Sequence, residues 1–197
     1  MDPVLIPNKT RVISLSSYGH TFAGSYNNFD RVLSKAIEDG DWMGSQKNDY
    51  APTANYGYSK ASNILFAREL NTLYADKGIV SVSVHPGFIM ETGLARNIGV
   101  TWTQIKESID FFPLYLATPF AIVENKNIKG GAATTLRCVA MSNEEIIGGE
   151  LYYNCIPASV EGRMRDNCKP REGDELAKKL WILSETVLGN KGFKLQL

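Results

Sequence analysis

Two strand-like runs bracket a long amphipathic stretch in this chain, and that order constrains the fold more than any single motif. TRVISLSS, residues 10–17, is mostly apolar and β-branched. It reads as a strand buried on both faces, of the kind found in parallel sheets. IVSVSVHPG, residues 79–87, alternates Val with Ser and His and stops at Pro-Gly, which predicts a second strand ending in a turn. Between them, residues 55–77 carry Ala61, Ile64, Leu65, Ala67, Leu70 and Leu73 at three- and four-residue spacing, with Gly78 placed to cap the helix they predict.

The remaining signals extend the alternation. KGGAATTLRCVAM, residues 129–141, has the small residues of a helix packed closely on a sheet, and GGELYYN, residues 148–154, predicts a third strand. A last helix is expected over 174–188, ending at Gly189, and one or two helices over 101–120, interrupted at Pro113. Residues 18–54 read as a long polar loop in which RVLSKAIEDG makes a short helix ending at Gly40. A segment of that length without a strong element indicates a binding loop or lid. Strand, helix, strand, helices, strand, helix is the order of an α/β domain with parallel strands and right-handed crossovers. With 197 residues and no internal repeat or linker, a single domain is expected.

Charge narrows the function classes. Lys plus Arg equals Asp plus Glu, 21 against 21, and no basic stripe is interleaved with aromatics, so nothing indicates a nucleic acid partner. The N-terminal residues lack the pattern of a signal peptide, and no window is apolar for long enough to span a membrane. Cys138, Cys155 and Cys168 form no C-x-x-C pair, which suits reduced thiols in a cytoplasmic protein. The two histidines are far apart with no clustered carboxylate or cysteine, so no metal site is expected. His85 is expected to be a packed, hydrogen-bonded strand residue and His20 to be exposed to solvent.

The stretch NYGYSKASNILFAREL, residues 55–70, sets two tyrosines ahead of Lys60. Helical residues four apart share a face, while residues two apart diverge. Only Tyr56 can therefore point with Lys60 into one pocket, and Tyr58 is left for packing. An ammonium near a phenol favours the phenolate, which is how a tyrosine comes to serve as an acid or base near neutral pH.

RVISLSSYGH, YGYSKASNILFAREL and VSVSVHPGFIMETGL follow one another in that order, each at the carboxyl end of a strand or at a helix entry. Together they resemble the short-chain dehydrogenase/reductase family, above all its fungal and retinol-dehydrogenase-like members. The likeness runs from about residue 10 to about residue 188 and includes GGAATTLRC, GGELYYN and KKLWILSE. The resemblance implies a Rossmann-like α/β fold, truncated here to about three parallel strands equivalent to the family's last three. It implies NAD or NADP as cofactor and interconversion of a carbonyl and an alcohol. Ser17 would hydrogen-bond the substrate oxygen, and Tyr56 would pass a proton to or from it. Lys60 would lower the pKa of Tyr56 and grip the nicotinamide ribose, and Tyr56 would itself be a cofactor-binding residue. Pro86, Gly87 and Ile89 would form the shelf under the nicotinamide ring. Thr92, one place further from Pro86 than in many members, would touch the carboxamide or phosphates. The long segment between Ser17 and Tyr56 would be a substrate-side element, and residues 92–127, with their Phe111, Phe112, Tyr115 and Phe120 cluster, a lid or core over a small apolar substrate such as a polyketide, terpenoid or lipid-derived ketone.

The family's opening strand and glycine-rich turn, which hold the cofactor pyrophosphate on backbone N–H groups, have no counterpart here. Its Asn-Ala-Gly segment, its catalytic asparagine and the residue that selects NAD or NADP are absent as well. The expectation is a chain corresponding to the C-terminal part of the family domain, whose first strand presents an open edge and invites a homo-oligomer or a complementing chain. Two other readings stay open beside the redox enzyme. One is a nucleotide-independent isomerase, dehydratase or cyclase using the same three residues. The other is a catalytically silent homologue that acts by binding.

Overall fold

The computed structural model describes residues 5–39, 52–87, 89, 126–161 and 172–192. Its sheet has the order β1-β2-β3-β4, formed by Arg11–Leu15, Val80–His85, Leu151–Tyr153 and Ile156–Pro157. β1 runs parallel to β2 with Arg11 opposite Val80 and Leu15 opposite Val84; β2 runs parallel to β3 with Ser83 opposite Leu151. The helices are α1 (Tyr26–Asp39), α2 (Pro52–Tyr74), α3 (Ile128–Ala140), the single turn α4 (Ala158–Glu161) and α5 (Glu172–Asn190). The α/β architecture with three parallel strands read from the sequence is the one observed.

The pleat of β2 explains why its serines are buried. Val82 and Val84 pack with Ile13, Cys138, Ile146 and Tyr152 on the α3 side. Burial pushes the Cys138 thiol up to about 11 there, so this cysteine is a core residue and not a nucleophile. Ser81 and Ser83 point the other way and are just as buried, because α2 packs over them. Small side chains let that helix approach closely. Above it, Ala61, Ile64, Leu65, Leu70 and Ala67 are buried as their spacing requires, while Leu73 at the last turn is exposed. A 3-10 turn, Ala75–Lys77, follows α2, and Gly78 closes it in the left-handed region (φ 71°), as expected of a cap glycine. The larger core joins α1, α2 and α5 to β3 through Phe29, Leu33, Ile64, Tyr153, Leu176 and Leu183.

Three expectations are corrected. β1 is not buried on both faces: residues 11–14 are half-buried and Leu15 is 53 % exposed. The cause is its place at the end of the sheet, where among the described residues it pairs with β2 alone. Residues 18–39 hold more regular structure than the short helix expected over 31–40. They form a 3-10 turn, Tyr18–Ala23, and the helix α1, whose Phe29, Leu33 and Ala36 are spaced to bury one face while the polar residues between them face water. The third strand also turns back into a short antiparallel partner, β4, through Asn154 (φ 47°) and Cys155 (φ 69°), a pair of left-handed residues that suits a two-residue hairpin. The expected helices over 101–120 and the cluster at Phe111, Phe112, Tyr115 and Phe120 lie outside the described residues, as does Cys168. None of the described helices is long and apolar enough to cross a membrane.

Candidate active site

The end of β1 splits its two serines between two tasks. Ser16 is buried and its hydroxyl donates to the Lys60 carbonyl at 2.7 Å, fastening the strand end to α2. Ser17 caps the 3-10 turn from extended backbone (φ −156°, ψ 156°), and its Oγ accepts the Gly19 N–H at 3.1 Å. A serine hydroxyl has one hydrogen and two lone pairs. Accepting from Gly19 occupies a lone pair and leaves the O–H of Ser17 able to donate elsewhere.

Tyr56 and Lys60 stand one turn apart on α2 above this point. The Tyr56 ring lies against Gly19, where a Cβ would come within 2.9 Å of Cδ1. Lys60 Nζ is 5.6 Å from the centre of that ring and reaches the Leu15 carbonyl at 3.4 Å. The same carbonyl accepts from Asn63 Nδ2 at 2.8 Å. Tyr58 does what the helical geometry predicts: it is buried, stacked on Phe29 with ring centres 5.3 Å apart, and its oxygen accepts from Asn28 Nδ2 at 2.8 Å.

β2 delivers the next group. Pro86 and Gly87 (φ 87°) follow its last residue, and the Gly87 N–H approaches His85 Nδ1 at 3.4 Å. His85 is buried and stacked on Tyr153 at 5.1 Å and 12°, so it is the packed residue the sequence indicated. Ile89 lies against α3 at Gly131, where a Cβ would overlap its Cδ1 and approach its Cγ1 to 2.8 Å. α3 is started by Asn127, whose side chain accepts the Gly130 N–H at 2.7 Å. Ser17, Tyr56 and Lys60 thus meet at the carboxyl end of β1, while Pro86, Gly87 and Ile89 follow the carboxyl end of the adjacent β2. Thr92 lies outside the described residues.

His20 differs from expectation. It is 1 % exposed, with Nδ1 2.8 Å from the Ser17 carbonyl and its ring edge-on to Tyr18 at 6.0 Å. The 3-10 turn folds it inward, and nothing in the local sequence announces that turn. Sequence reasoning also passed over Gly19, Gly57 and Asn63. The signal available for the two glycines is that each adjoins a residue already singled out, Gly19 two places after Ser17 and Gly57 directly after Tyr56.

No family model matches the chain. Among curated proteins it is similar to the WW domain-containing oxidoreductase of Homo sapiens, 32% identical over 181 residues that make up 90% of this chain and 37% of the relative. It is also similar to retinol dehydrogenase 12 of Mus musculus, 28% identical over 91% of this chain and 46% of that protein. Oxidoreductase calI of Penicillium decumbens is 27% identical over 95% of this chain and 52% of its own length. The chain therefore spans about half, or less, of the relatives it matches.

Proposed function

We propose that this chain acts as a short-chain dehydrogenase/reductase over the part of its relatives that it matches, interconverting a carbonyl and an alcohol on a small apolar substrate with NAD(P)(H), in the cytoplasm, through Ser17, Tyr56 and Lys60. The observation that carries this reading is the convergence of the three residues. Ser17 Oγ and the Tyr56 ring adjoin the same glycine, and the Lys60 ammonium stands 5.6 Å from the ring. In reduction, the Ser17 O–H donates to the substrate oxygen and holds it beside Tyr56. The Tyr56 O–H then gives its proton to that oxygen as negative charge builds there. The Lys60 ammonium attracts the charge left on the phenol oxygen. Oxidation runs the same proton path backwards.

The cofactor when bound supplies or accepts the hydride. The donor set suits its nicotinamide half: an ammonium has three N–H groups, one of which Lys60 directs to Leu15, leaving others for ribose hydroxyls. Pro86, Gly87 and Ile89 offer an apolar floor for the ring, and Thr92 is assigned to the carboxamide or phosphates. Among the described residues no glycine-rich strand-to-helix turn is available for the pyrophosphate. From the outer side of β1, which among the described residues pairs with no second strand, we also propose association with a second copy or a complementing chain.

The test is turnover of a panel of apolar aldehydes, ketones and alcohols, followed by the absorbance of the reduced nicotinamide. Wild type is expected to turn over at least one of them, and Tyr56→Phe to lower kcat by about 100-fold or more. Equal turnover by the two proteins contradicts the assignment.

A further inference from the structure

Ser17 and Tyr56 come from elements far apart in sequence, yet one residue without a side chain touches both. Gly19 is buried in the 3-10 turn, donates its N–H to Ser17 Oγ at 3.1 Å, and lies under the ring of Tyr56. Its φ is outside the left-handed region, so the backbone does not ask for glycine here. Space does. A Cβ at this position would overlap Tyr56 Cε1, stand 2.9 Å from Cδ1 and 3.4 Å from Ser17 Oγ. The arrangement is mirrored on α2. A Cβ on Gly57, the residue after Tyr56, would lie 2.5 Å from the Ala23 nitrogen and 2.6 Å from the Phe22 carbonyl carbon. The 3-10 turn is thus pressed to α2 at both ends, Gly19 beneath Tyr56 at one and Gly57 against Phe22 and Ala23 at the other.

We propose that Gly19 is the positioning residue of the proton-transfer pair, setting the distance of the Tyr56 ring from Ser17 and the direction of the Ser17 hydroxyl together. This rests on the reading of Ser17 and Tyr56 as the groups that handle the substrate proton. Because the Gly19 N–H fills one lone pair of Ser17 Oγ, the hydroxyl hydrogen points away from the turn and toward the substrate side. Because Gly19 has no Cβ, the phenol sits one side-chain layer lower than any other residue would permit. Adding a methyl group must lift the ring by roughly an ångström, a misplacement that costs on the order of 100-fold in rate.

The experiment compares wild type, Gly19→Ala, Tyr56→Phe and the double variant, with kcat and KM measured separately. Gly19→Ala is expected to lower kcat about 100-fold while both KM values stay within about threefold, because Lys60, Pro86, Gly87 and Ile89, assigned to the cofactor, are untouched. If Gly19 acts through Tyr56, the double variant is no slower than Tyr56→Phe alone. Wild-type kcat in Gly19→Ala, or effects that multiply in the double variant, overturns the proposal. Wild-type turnover by Tyr56→Phe overturns the proton-transfer reading itself and the proposal with it. A measurement free of both activity and folding of the variants is made on wild type. Nuclear Overhauser contacts from the Gly19 α-protons to the Tyr56 ring protons are expected, and their absence in a folded sample overturns the proposal whatever the kinetics show.

Discussion

Tyr56 and Tyr58 are separated by one glycine and serve opposite ends of the molecule's physics. Tyr58 is a core residue whose oxygen takes one hydrogen bond from Asn28. Tyr58→Phe should therefore cost about 0.5–1.5 kcal/mol of stability, read by urea denaturation, and leave kcat unchanged. Glu69 gives a prediction in pH. It is 6 % exposed, near Asp174 and Lys178, and burial raises its pKa above the usual carboxylate value while Lys178 opposes the shift. A carboxyl whose pKa is raised on folding holds its proton more tightly in the folded state, so its contribution is favourable below about pH 4.5 and is lost as pH rises through the folded value. Glu69→Gln should raise Tm at pH 7, and the gain should vanish near pH 4. An equal gain at both values would show that the charge is not the cause. The tyrosine split was legible because helical periodicity alone decides it. The burial of His20 was not, because it depends on a 3-10 turn held by contacts with a helix far along the chain.

At the level of elements, the docking of the 3-10 turn on α2 and the seating of α3 are the joints that hold the site. Gly57→Ala should force the turn off the helix and cost about 1–3 kcal/mol, visible as a lower denaturation midpoint together with reduced turnover. One side chain fastens the end of α3. Arg11 Nη1 donates to the carbonyls of Cys138 at 2.7 Å, Val139 at 3.2 Å and Met141 at 2.7 Å, and Nη2 to Asn143 Oδ1 at 2.6 Å. A cation on the last carbonyls of a helix satisfies groups that have no intrahelical partner and complements the helix dipole. Arg11→Met keeps the stem and removes all four bonds, so a loss of about 1–3 kcal/mol is expected. The major helices were readable where an apolar face ran through them. The first half of α1 was hidden because Tyr26 and Phe29 are its large core-facing residues before Val32 and the residues between them are polar, and β4 because Asn154-Cys155 is an unusual sequence for a tight hairpin.

Among the described residues, β1 is both the platform for Ser17 and the last strand of the sheet. Thr10 and Ser16 direct their backbone groups to β2, so Arg11, Ile13 and Leu15 direct theirs outward. The Leu15 carbonyl is taken by Lys60 and Asn63. Arg11 turns its charge to α3, which leaves the outer edge without the lysine, glutamate or proline that commonly guards one. If a second chain pairs there, Leu15→Lys, at an exposed position of the strand, should weaken self-association in sedimentation equilibrium; an unchanged oligomeric state would place the association elsewhere. The alternation of strand and helix made the fold class legible, and the Ser, Tyr and Lys motifs pointed to the candidate site, because both depend on short-range patterns.

On the proposed reading, Ser17, Tyr56 and Lys60 work on a substrate held beside a nicotinamide. Titration of the chain with NADPH and NADH, followed by nucleotide fluorescence, tests it most directly, with Lys60→Met as the control. Binding in the micromolar range, about −8 kcal/mol, weakened at least tenfold by Lys60→Met, is the predicted result. A well-folded protein that binds neither nucleotide, or binds equally well without Lys60, would contradict it.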